Sequence, residues 1–203
     1  MYGSNVDAAA AIASASGGAG RVRRMGRMTN AKAHTTDYRR ALGQFATGVC
    51  VVTTSGTAGE PVGLTVNSFN SVSLTPPLVL WSLGQGAASS PAFEAAAGFV
   101  VHVLGVGQLE LARRFSTRGI DKFAGTTWSH SGQGWPLIED CVAWFECKTV
   151  GRHRAGDHDI FVGEVLEFRA AGGTPLIFHS GRYVSEVVET PLPRALRDPW
   201  PKP

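Results

Sequence analysis

Polar side chains occur in a segment that otherwise has the pattern of a β-strand. Residues 63–69 read Gly-Leu-Thr-Val-Asn-Ser-Phe, so a glycine is followed by two hydroxyls and an amide. A second polar group follows the next predicted strand, with Ser82 and then Ser89 and Ser90 where a helix is expected to begin. Hydroxyls and the N–H groups at a helix start bind phosphate well. Together the two groups suit a phosphorylated planar ligand, although polar strand ends are common.

Two other sequence patterns are weaker indications of a ligand or metal site. Gly105-Val106-Gly107 opens a predicted helix as a dinucleotide fingerprint would, but Glu110 stands where the third glycine belongs and would repel a pyrophosphate. We therefore expect only a turn and a helix start there. The run 153–159, His-Arg-Ala-Gly-Asp-His-Asp, has ligand types for a metal, but its spacing matches no common site and its arginines disfavour a cation. We expect a loop there with surface histidines and no metal site.

Cysteine usage indicates structural thiols. Cys50, Cys141 and Cys147 lie in apolar or alternating runs without a C-x-x-C motif. An odd number of cysteines without a secretory signal is typical of reduced, buried thiols, and predicts a cytoplasmic protein.

The basic charge of the chain is confined to one end. The 203 residues carry a formal net charge of +3, of which residues 1–40 contribute +5 and residues 41–203 contribute −2. Residues 1–35, rich in Ala, Ser, Gly and Arg, predict a disordered leader, with a targeting peptide or a nucleic-acid arm as the alternatives. The acidic balance of the remainder argues against nucleic acid as the main partner. Apolar runs are too short to predict a membrane span.

The spacing of apolar residues predicts the elements that must position these groups. High glycine (25 residues) and proline (11 residues) favour short strands over long helices. We expect helices at 37–45, 90–97 and 108–115, an irregular stretch at 116–136, and strands at 49–54, 62–69, 78–83, 99–104, 141–150 and 160–168, with a last strand at Tyr183. This order predicts a mostly β fold with short helices, as a closed or partly closed barrel. The domain would span residues 36–188, followed by a proline-rich tail at 189–203.

Blocks of sequence between Tyr38 and Tyr183 form an ordered series. They begin with Tyr-Arg-Arg-Ala-Leu-Gly-Gln-Phe-Ala-Thr-Gly-Val at 38–49 and continue through 63–69 and 71–80. Asp-Lys-Phe-Ala-Gly at 121–125, Gly-Asp-His at 156–158 and Gly-Arg-Tyr at 181–183 follow in the same order. In this order the blocks resemble the flavin reductase-like, FMN-binding split-barrel family, and in particular the small reductase components of two-component flavin monooxygenases.

The resemblance implies a split β-barrel and an activity. The protein would be an NAD(P)H-dependent flavin reductase that transfers a hydride to FMN or FAD and supplies reduced flavin to a separate monooxygenase. It would be a cytoplasmic homodimer. The sequence does not choose between FMN and FAD or between NADH and NADPH. A flavin-binding oxidase of the same fold and a non-catalytic flavin or electron carrier remain alternatives.

The resemblance also assigns residues. Flavin contacts fall on the strand residues Gly63, Leu64, Thr65, Val66, Asn67 and Ser68, and on the following segment at Ser82, Leu83, Ser89 and Ser90. A neighbouring element or subunit would add Arg114, Phe115, Ser116 and Lys122. Nicotinamide contacts fall on His158, which would orient the nicotinamide or its phosphate and is the one catalytic assignment, and on Tyr183. Two departures matter: Val66 stands where alanine is common, and Gly84-Gln85-Gly86-Ala87 replaces a stretch that usually carries a cation and a hydroxyl.

Overall fold

The computed structural model describes residues 35–184 and residue 186. The predicted leader, apart from Thr35, and the predicted tail at 189–203 lie outside the described residues. The chain divides after Tyr38, within the first helix, and the description below concerns the unit that follows.

Short helices connect a larger number of strands. The helices are α1 (Thr35–Leu42), α2 (Ser90–Ala95) and α3 (Leu109–Ser116), with a 3₁₀ turn at Val106–Gln108 before α3. The first strands are β1 (Thr47–Gly48), β2 (Cys50–Ser55), β3 (Pro61–Val66), β4 (Asn70–Leu74), β5 (Pro77–Gly84) and β6 (Gly98–Val103). The later strands are β7 (Trp128–His130), β8 (Pro136–Ile138), β9 (Ala143–Ala155), β10 (His158–Ala170), β11 (Ile177–His179) and β12 (Arg182–Val184). The predicted mostly β fold with short helices is confirmed.

One antiparallel sheet of seven strands forms most of the fold. Its order is β3-β2-β6-β9-β10-β5-β4, so β3 and β4 are its two edges although they are consecutive in the chain. Only residues 67–69 connect these two edges. Because the four steps from Val66 to Asn70 span at most about 14 Å, the sheet must curl until its edges come close at one end. The result is a barrel that stays split between β3 and β4.

Strand β2 lies at the centre of two apolar clusters. Cys50 and Val52 point into a cluster with Trp81, whereas Val49 and Val51 point into a second cluster beneath α3. Successive side chains of a strand alternate between its two faces, so a strand buried on both faces has a continuous apolar and β-branched sequence. The run 49–54 has that sequence, and the strand predicted there is confirmed.

The longest strands form a hairpin where the sequence predicted two shorter strands and a loop. Strands β9 and β10 pair from His158 opposite Ala155 to Ala170 opposite Ala143, with register shifts between Val162 and Gly163 and between Val165 and Glu167. The turn consists of Gly156, with a φ of +65°, and Asp157. His153 and His158 are therefore strand residues near the end of a hairpin, and the expectation of a loop at 153–159 was wrong.

Two smaller differences concern local structure. Within the stretch predicted as irregular, β7 and β8 form a short antiparallel hairpin. Helix α1 ends at Leu42 and not at Phe45, whose side chain is 77% exposed and does not contribute to the core.

Candidate functional site

A cleft of about 480 Å³ lies beside the edge strand β3, within the size range of small-molecule sites. Its walls come from β3, from the loop before α2, from the end of α3 and from the loop after α3. The residues that line it are Pro61, Val62, Gly63, Leu64, Thr65, Ala87, Ala88, Ser89, Phe115, Ser116, Arg118, Gly119, Ile120, Asp121, Lys122 and Phe123.

Half of the residues assigned to flavin binding by resemblance line this one cleft. They are separated by up to 59 positions in the chain, so tertiary structure alone brings them together. The residues concerned are Gly63, Leu64, Thr65, Ser89, Phe115, Ser116 and Lys122.

Gly63 is required by packing. A Cβ atom at this position would lie 2.7 Å from Cε1 of Phe115, closer than real Cβ atoms approach, and a tight 3.2 Å from Cγ2 of Thr53. The missing side chain thus lets the buried ring of Phe115 press against β3. As β3 is an edge strand of the sheet that the described residues form, alternate N–H and C=O groups along its outer side have no ladder partner there, and the N–H groups among them are open to a ligand.

Two cations give the cleft a positive end. Lys122 Nζ donates a hydrogen bond to the carbonyl oxygen of Gly63 at 3.0 Å, and Arg118 lines the same cleft. Burial, and then the charge of Arg118, hold the pKa of Lys122 below its ordinary value. Asp121 Oδ1 accepts hydrogen bonds from the backbone N–H groups of Phe123 and Ala124, which fixes the turn that presents Lys122. Sequence reasoning missed Arg118; the only signal was a second cation four residues before Lys122.

The hydroxyl groups of the polar strand end already have partners within the protein. Thr65 Oγ1 donates to the carbonyl oxygen of Ala112 at 2.7 Å, which joins β3 to α3. Ser68 Oγ donates to the carbonyl oxygen of Ser82 and accepts from its N–H, at 3.1 and 2.9 Å. The two Ser68 bonds attach the 67–69 connection to β5, so the hydroxyls of Thr65 and Ser68 hold neighbouring elements of the barrel together.

The remaining flavin assignments lie away from the cleft lining. Val66 and Leu83 are buried in the core, and Asn67 is exposed in the connection after β3. Ser90 is buried and donates to the carbonyl oxygen of Gly84 at 3.3 Å. Arg114 donates from Nη1 to the carbonyl oxygen of Ala124 and lines a different cleft on the other side of α3.

His158 stands at the end of the β9–β10 hairpin with one ring nitrogen engaged. Its Nδ1 lies 2.7 Å from Oδ1 of Asp157, and its side chain is 49% exposed. The hydrogen bond and the charge of His158 lower the pKa of Asp157. With Nδ1 directed at a carboxylate, Nε2 is left for a ligand. That Nε2 would lie 3.7 Å from a Cβ at Gly84, at the start of the loop whose residues Ala87, Ala88 and Ser89 line the cleft.

Tyr183 lies on β12 and packs edge-to-face on Phe178, with ring centroids 5.4 Å apart. It lines a separate surface cleft with His179 and Arg182. Within the described residues, the structure therefore does not bring Tyr183 and His158 into one cleft.

His102 and the three cysteines are buried and serve packing. His102 is fully buried; its Nε2 accepts from the N–H of Ile138 at 3.0 Å, so Nδ1 carries the proton and donates to the carbonyl oxygen of Val51 at 3.1 Å. Burial lowers the pKa of His102 to about 4. The thiols are free and buried, and burial raises their pKa to about 12 at Cys50 and Cys147 and about 11 at Cys141. Such thiols are poor nucleophiles at neutral pH.

Metal-binding clusters and membrane-spanning helices are both absent from the described residues. Among residues 35–184 and 186, no three His, Cys, Asp or Glu side chains are grouped as a metal ion would require. In the same part of the chain, each helix is too short or too polar to cross a membrane.

Comparison with known proteins gives consistent matches. The family described as flavin reductase like domain matches residues 42–186. The FMN reductase (NADH) SmoA of Agrobacterium fabrum is 45% identical over 150 residues, which are 74% of this chain and 85% of that protein. The reductase component of a 4-nitrophenol 4-monooxygenase/4-nitrocatechol 2-monooxygenase from Rhodococcus opacus is 37% identical over 147 residues, covering 72% of this chain and 78% of that protein. Among solved structures, the NADH:FAD oxidoreductase SgcE6 of Streptomyces globisporus C-1027, in complex with NAD and FAD fragments, has a TM-score of 0.74 and 38% identity, covering 80% of this chain and 98% of that one.

Proposed function

Since this chain belongs to the flavin reductase like domain family, we propose that it is an NAD(P)H-dependent flavin reductase that reduces FMN or FAD. The observation that carries the proposal is the cleft beside β3, which combines an open strand edge, an apolar wall and two cations.

The groups in the cleft fit the parts of a flavin nucleotide. The apolar side chains Val62, Leu64 and Phe115 suit a flat ring system, and the free N–H groups of β3 suit the polar edge of such a ring. Lys122 and Arg118 suit a phosphate, and charge-assisted hydrogen bonds to phosphate are strong. Of the assigned residues, we propose that Gly63, Leu64, Thr65, Ser89, Phe115, Ser116 and Lys122 form this site, together with Arg118.

The flavin, when bound, supplies the chemistry, because its ring accepts a hydride from a reduced nicotinamide. The task of the protein is to hold the two rings face to face and to exclude competing orientations. We propose that His158 contacts the nicotinamide nucleotide through Nε2 while Asp157 fixes the ring orientation of His158 at Nδ1. The reduced flavin then leaves for a separate oxygenase component, as the monooxygenase relatives support.

We also propose that the protein is a cytoplasmic homodimer. Support for a dimer comes from large apolar side chains exposed on the main sheet, with Leu74 of β4 74% exposed and Phe168 of β10 67% exposed. Exposed apolar surface of this kind marks association sites. Sedimentation of the purified protein tests this point, and a monomer over the working concentration range would overturn it.

The activity is tested by mixing purified protein with NADH or NADPH and with FMN or FAD, and following the near-ultraviolet absorbance of the reduced nicotinamide. We expect a loss of absorbance that requires both protein and added flavin. The replacement of the exposed Lys148 by Met is the control variant and should retain activity. No flavin-dependent loss with either nicotinamide would overturn the proposal, whereas tightly bound flavin without turnover would indicate a carrier.

A further inference from the structure

An ion-pair cluster links the hairpin that carries His158 to the helix that follows the cleft wall. Arg152 Nη2 lies 2.7 Å from Oε1 of Glu94 and 2.9 Å from Oδ2 of Asp159. Glu94 belongs to α2, Arg152 to β9 and Asp159 to β10. A single guanidinium nitrogen thus bridges two carboxylates from elements that are distant in sequence.

Only the Asp159 end of this cluster is buried, since the side chains of Arg152 and Glu94 are 36% and 41% exposed. The side chain of Asp159 is only 5% exposed, and a buried carboxylate is costly without a paired cation. The guanidinium of Arg152 also lies over the ring of Phe161, 5.7 Å from its centroid. Arg154 approaches Asp159 only to 3.9 Å and is 75% exposed, so Arg152 is the main partner of that carboxylate.

A second set of contacts ties the same hairpin to the cleft wall directly. Gln85 donates from its backbone N–H to the carbonyl oxygen of Asp157 at 3.0 Å, and from Nε2 to that of Gly156 at 3.3 Å. Gln85 lies in the stretch where the sequence departs from the family pattern. The loop from Gly84 to Ser89 is therefore attached to the hairpin turn at its start and, through α2, to the hairpin strands after its end.

We propose that Arg152 is a positioning residue that clamps α2 and the 84–89 loop to the hairpin, so that the cleft wall and His158 keep a fixed relative position. This proposal rests on the proposed function, because it takes the cleft wall as part of the flavin site and His158 as a contact of the nicotinamide nucleotide. Arg152, Glu94 and Asp159 are called the Arg152 clamp below. None of the three lines the cleft, so their effect on binding must pass through the elements they hold.

The sharpest variant is Glu94→Gln, because it releases α2 and leaves Asp159 paired with Arg152. We expect the apparent KM for the nicotinamide nucleotide to rise by about two- to fivefold, the range of a partly exposed ion pair. The matched control is Glu110→Gln, which breaks the 2.6 Å pair with Arg113 within α3. This variant should leave the KM for the nicotinamide nucleotide and the KM for the flavin unchanged.

Coupling to His158 separates positioning from a general loss of stability. In a His158→Ala background, Glu94→Gln should produce little further rise in the KM for the nicotinamide nucleotide, since the side chain it positions is absent. The same factor in both backgrounds would overturn the proposal. Arg152→Gln should have a larger effect than Glu94→Gln, and Arg152→Lys should restore part of the loss because both contacts involve one nitrogen. Equal losses with Gln and Lys would count against the clamp.

Hydrogen exchange tests the clamp without turnover, so that failure of the clamp and failure of the proposed function can be told apart. In Glu94→Gln, the amides of Gln85, Ala87 and Ser90 should exchange about two- to fivefold faster than in the parent protein. Amides in the β2–β6 ladder should keep their rates. Unchanged exchange at 84–90 would overturn the proposal, whereas a parent protein that lacks flavin-dependent NADH or NADPH oxidation would overturn only the proposed function.

Discussion

The two regions that flank the cleft are held together by different forces. On the α3 side, which comprises β3, α3 and the buried residues beneath them, Phe115 is fully buried and its ring fills the space left by Gly63. At the hairpin end, which comprises the β9–β10 turn and its attachments, side chains meet water. Asp157 is 94% exposed and His158 is 49% exposed, and hydrogen bonds and ion pairs make the contacts.

This difference predicts which property a substitution will change. Close-packed interiors tolerate little change in volume, so substitutions on the α3 side should mainly lower the free energy of unfolding. Polar contacts in water are individually weak, so substitutions at the hairpin end should mainly alter ligand binding. The protein can thus combine a rigid, close-packed cleft wall for the flavin with an accessible histidine for the nicotinamide nucleotide.

The largest effect is expected on the α3 side. Phe115→Ala should lower the free energy of unfolding by about 3–5 kcal/mol, since it removes a fully buried ring. Gly63→Ala should cost about 1–3 kcal/mol by overpacking. Chemical denaturation measures both. In combination with Phe115→Leu, the cost of Gly63→Ala should shrink, because the atom it would meet is gone. Strictly additive losses of unfolding free energy would contradict the inference that the ring of Phe115 requires a glycine at position 63.

The next effect concerns pH and the buried His102. Burial lowers the pKa of His102 to about 4. Between pH 6.5 and pH 4, the unfolded chain therefore binds a proton at this histidine and the folded protein does not. The contribution of His102 to the free energy of unfolding should therefore be constant above about pH 6.5. It should fall by about 3 kcal/mol in all as the pH drops from about 6.5 to about 4. Denaturation at several pH values should show a shallower acid slope for His102→Gln. An identical slope in the variant would contradict the assignment of His102 as the neutral structural histidine.

An intermediate effect is expected at the positive end of the cleft. Lys122→Met should weaken FMN binding by about tenfold or more, because it removes a charge-assisted contact to phosphate. Riboflavin, which lacks the phosphate, should lose much less affinity, and fluorescence titration measures both. Because the pKa of Lys122 is lowered, FMN affinity should fall with rising pH earlier than an exposed lysine would predict, and Lys122→Arg should remove that fall. Equal losses of affinity for FMN and for riboflavin would contradict the placement of the phosphate at Lys122.

The smallest effect is expected at the hairpin end. His158→Ala should raise the KM for the nicotinamide nucleotide by about threefold to tenfold, the range for one hydrogen bond, with little change in the KM for flavin or in the melting temperature. His153→Ala, on the neighbouring strand, is the matched control. A marked loss of stability in His158→Ala would erase the contrast between the two regions, and equal rises in both KM values would count against the assigned role.

Local sequence was sufficient for the positions of most elements. The β-branched run of β2, the proline before β5 and the apolar spacing of α3 each depend on neighbours within a few residues, so their strands and helix could be predicted. The β7–β8 hairpin was missed because its strands are three residues long and depend on packing against other strands. The ordered sequence blocks predicted the family, and the comparisons confirm it.

The assignment of side chains to the cleft could be predicted only in part. Lys122 and Phe115, both assigned to flavin contact by the resemblance, line the cleft, whereas Arg114, one residue before Phe115 on the same helix, lines a different cleft. Adjacent residues of a helix point about 100° apart, and no local pattern says which of them will face a strand that lies some fifty residues earlier in the chain.

The sequence by itself determined where most of the strands lie, which family the chain resembles and which side chains have the right chemistry for a flavin and a nicotinamide. Only the tertiary structure decided that Gly63 makes room for Phe115, that Thr65 and Ser68 hold the barrel together, and that Arg152 joins α2 to the hairpin. The physical reason is that strand and helix preferences arise from neighbouring residues. Steric space, hydrogen-bond partners and paired charges depend on atoms that approach only after the chain has folded.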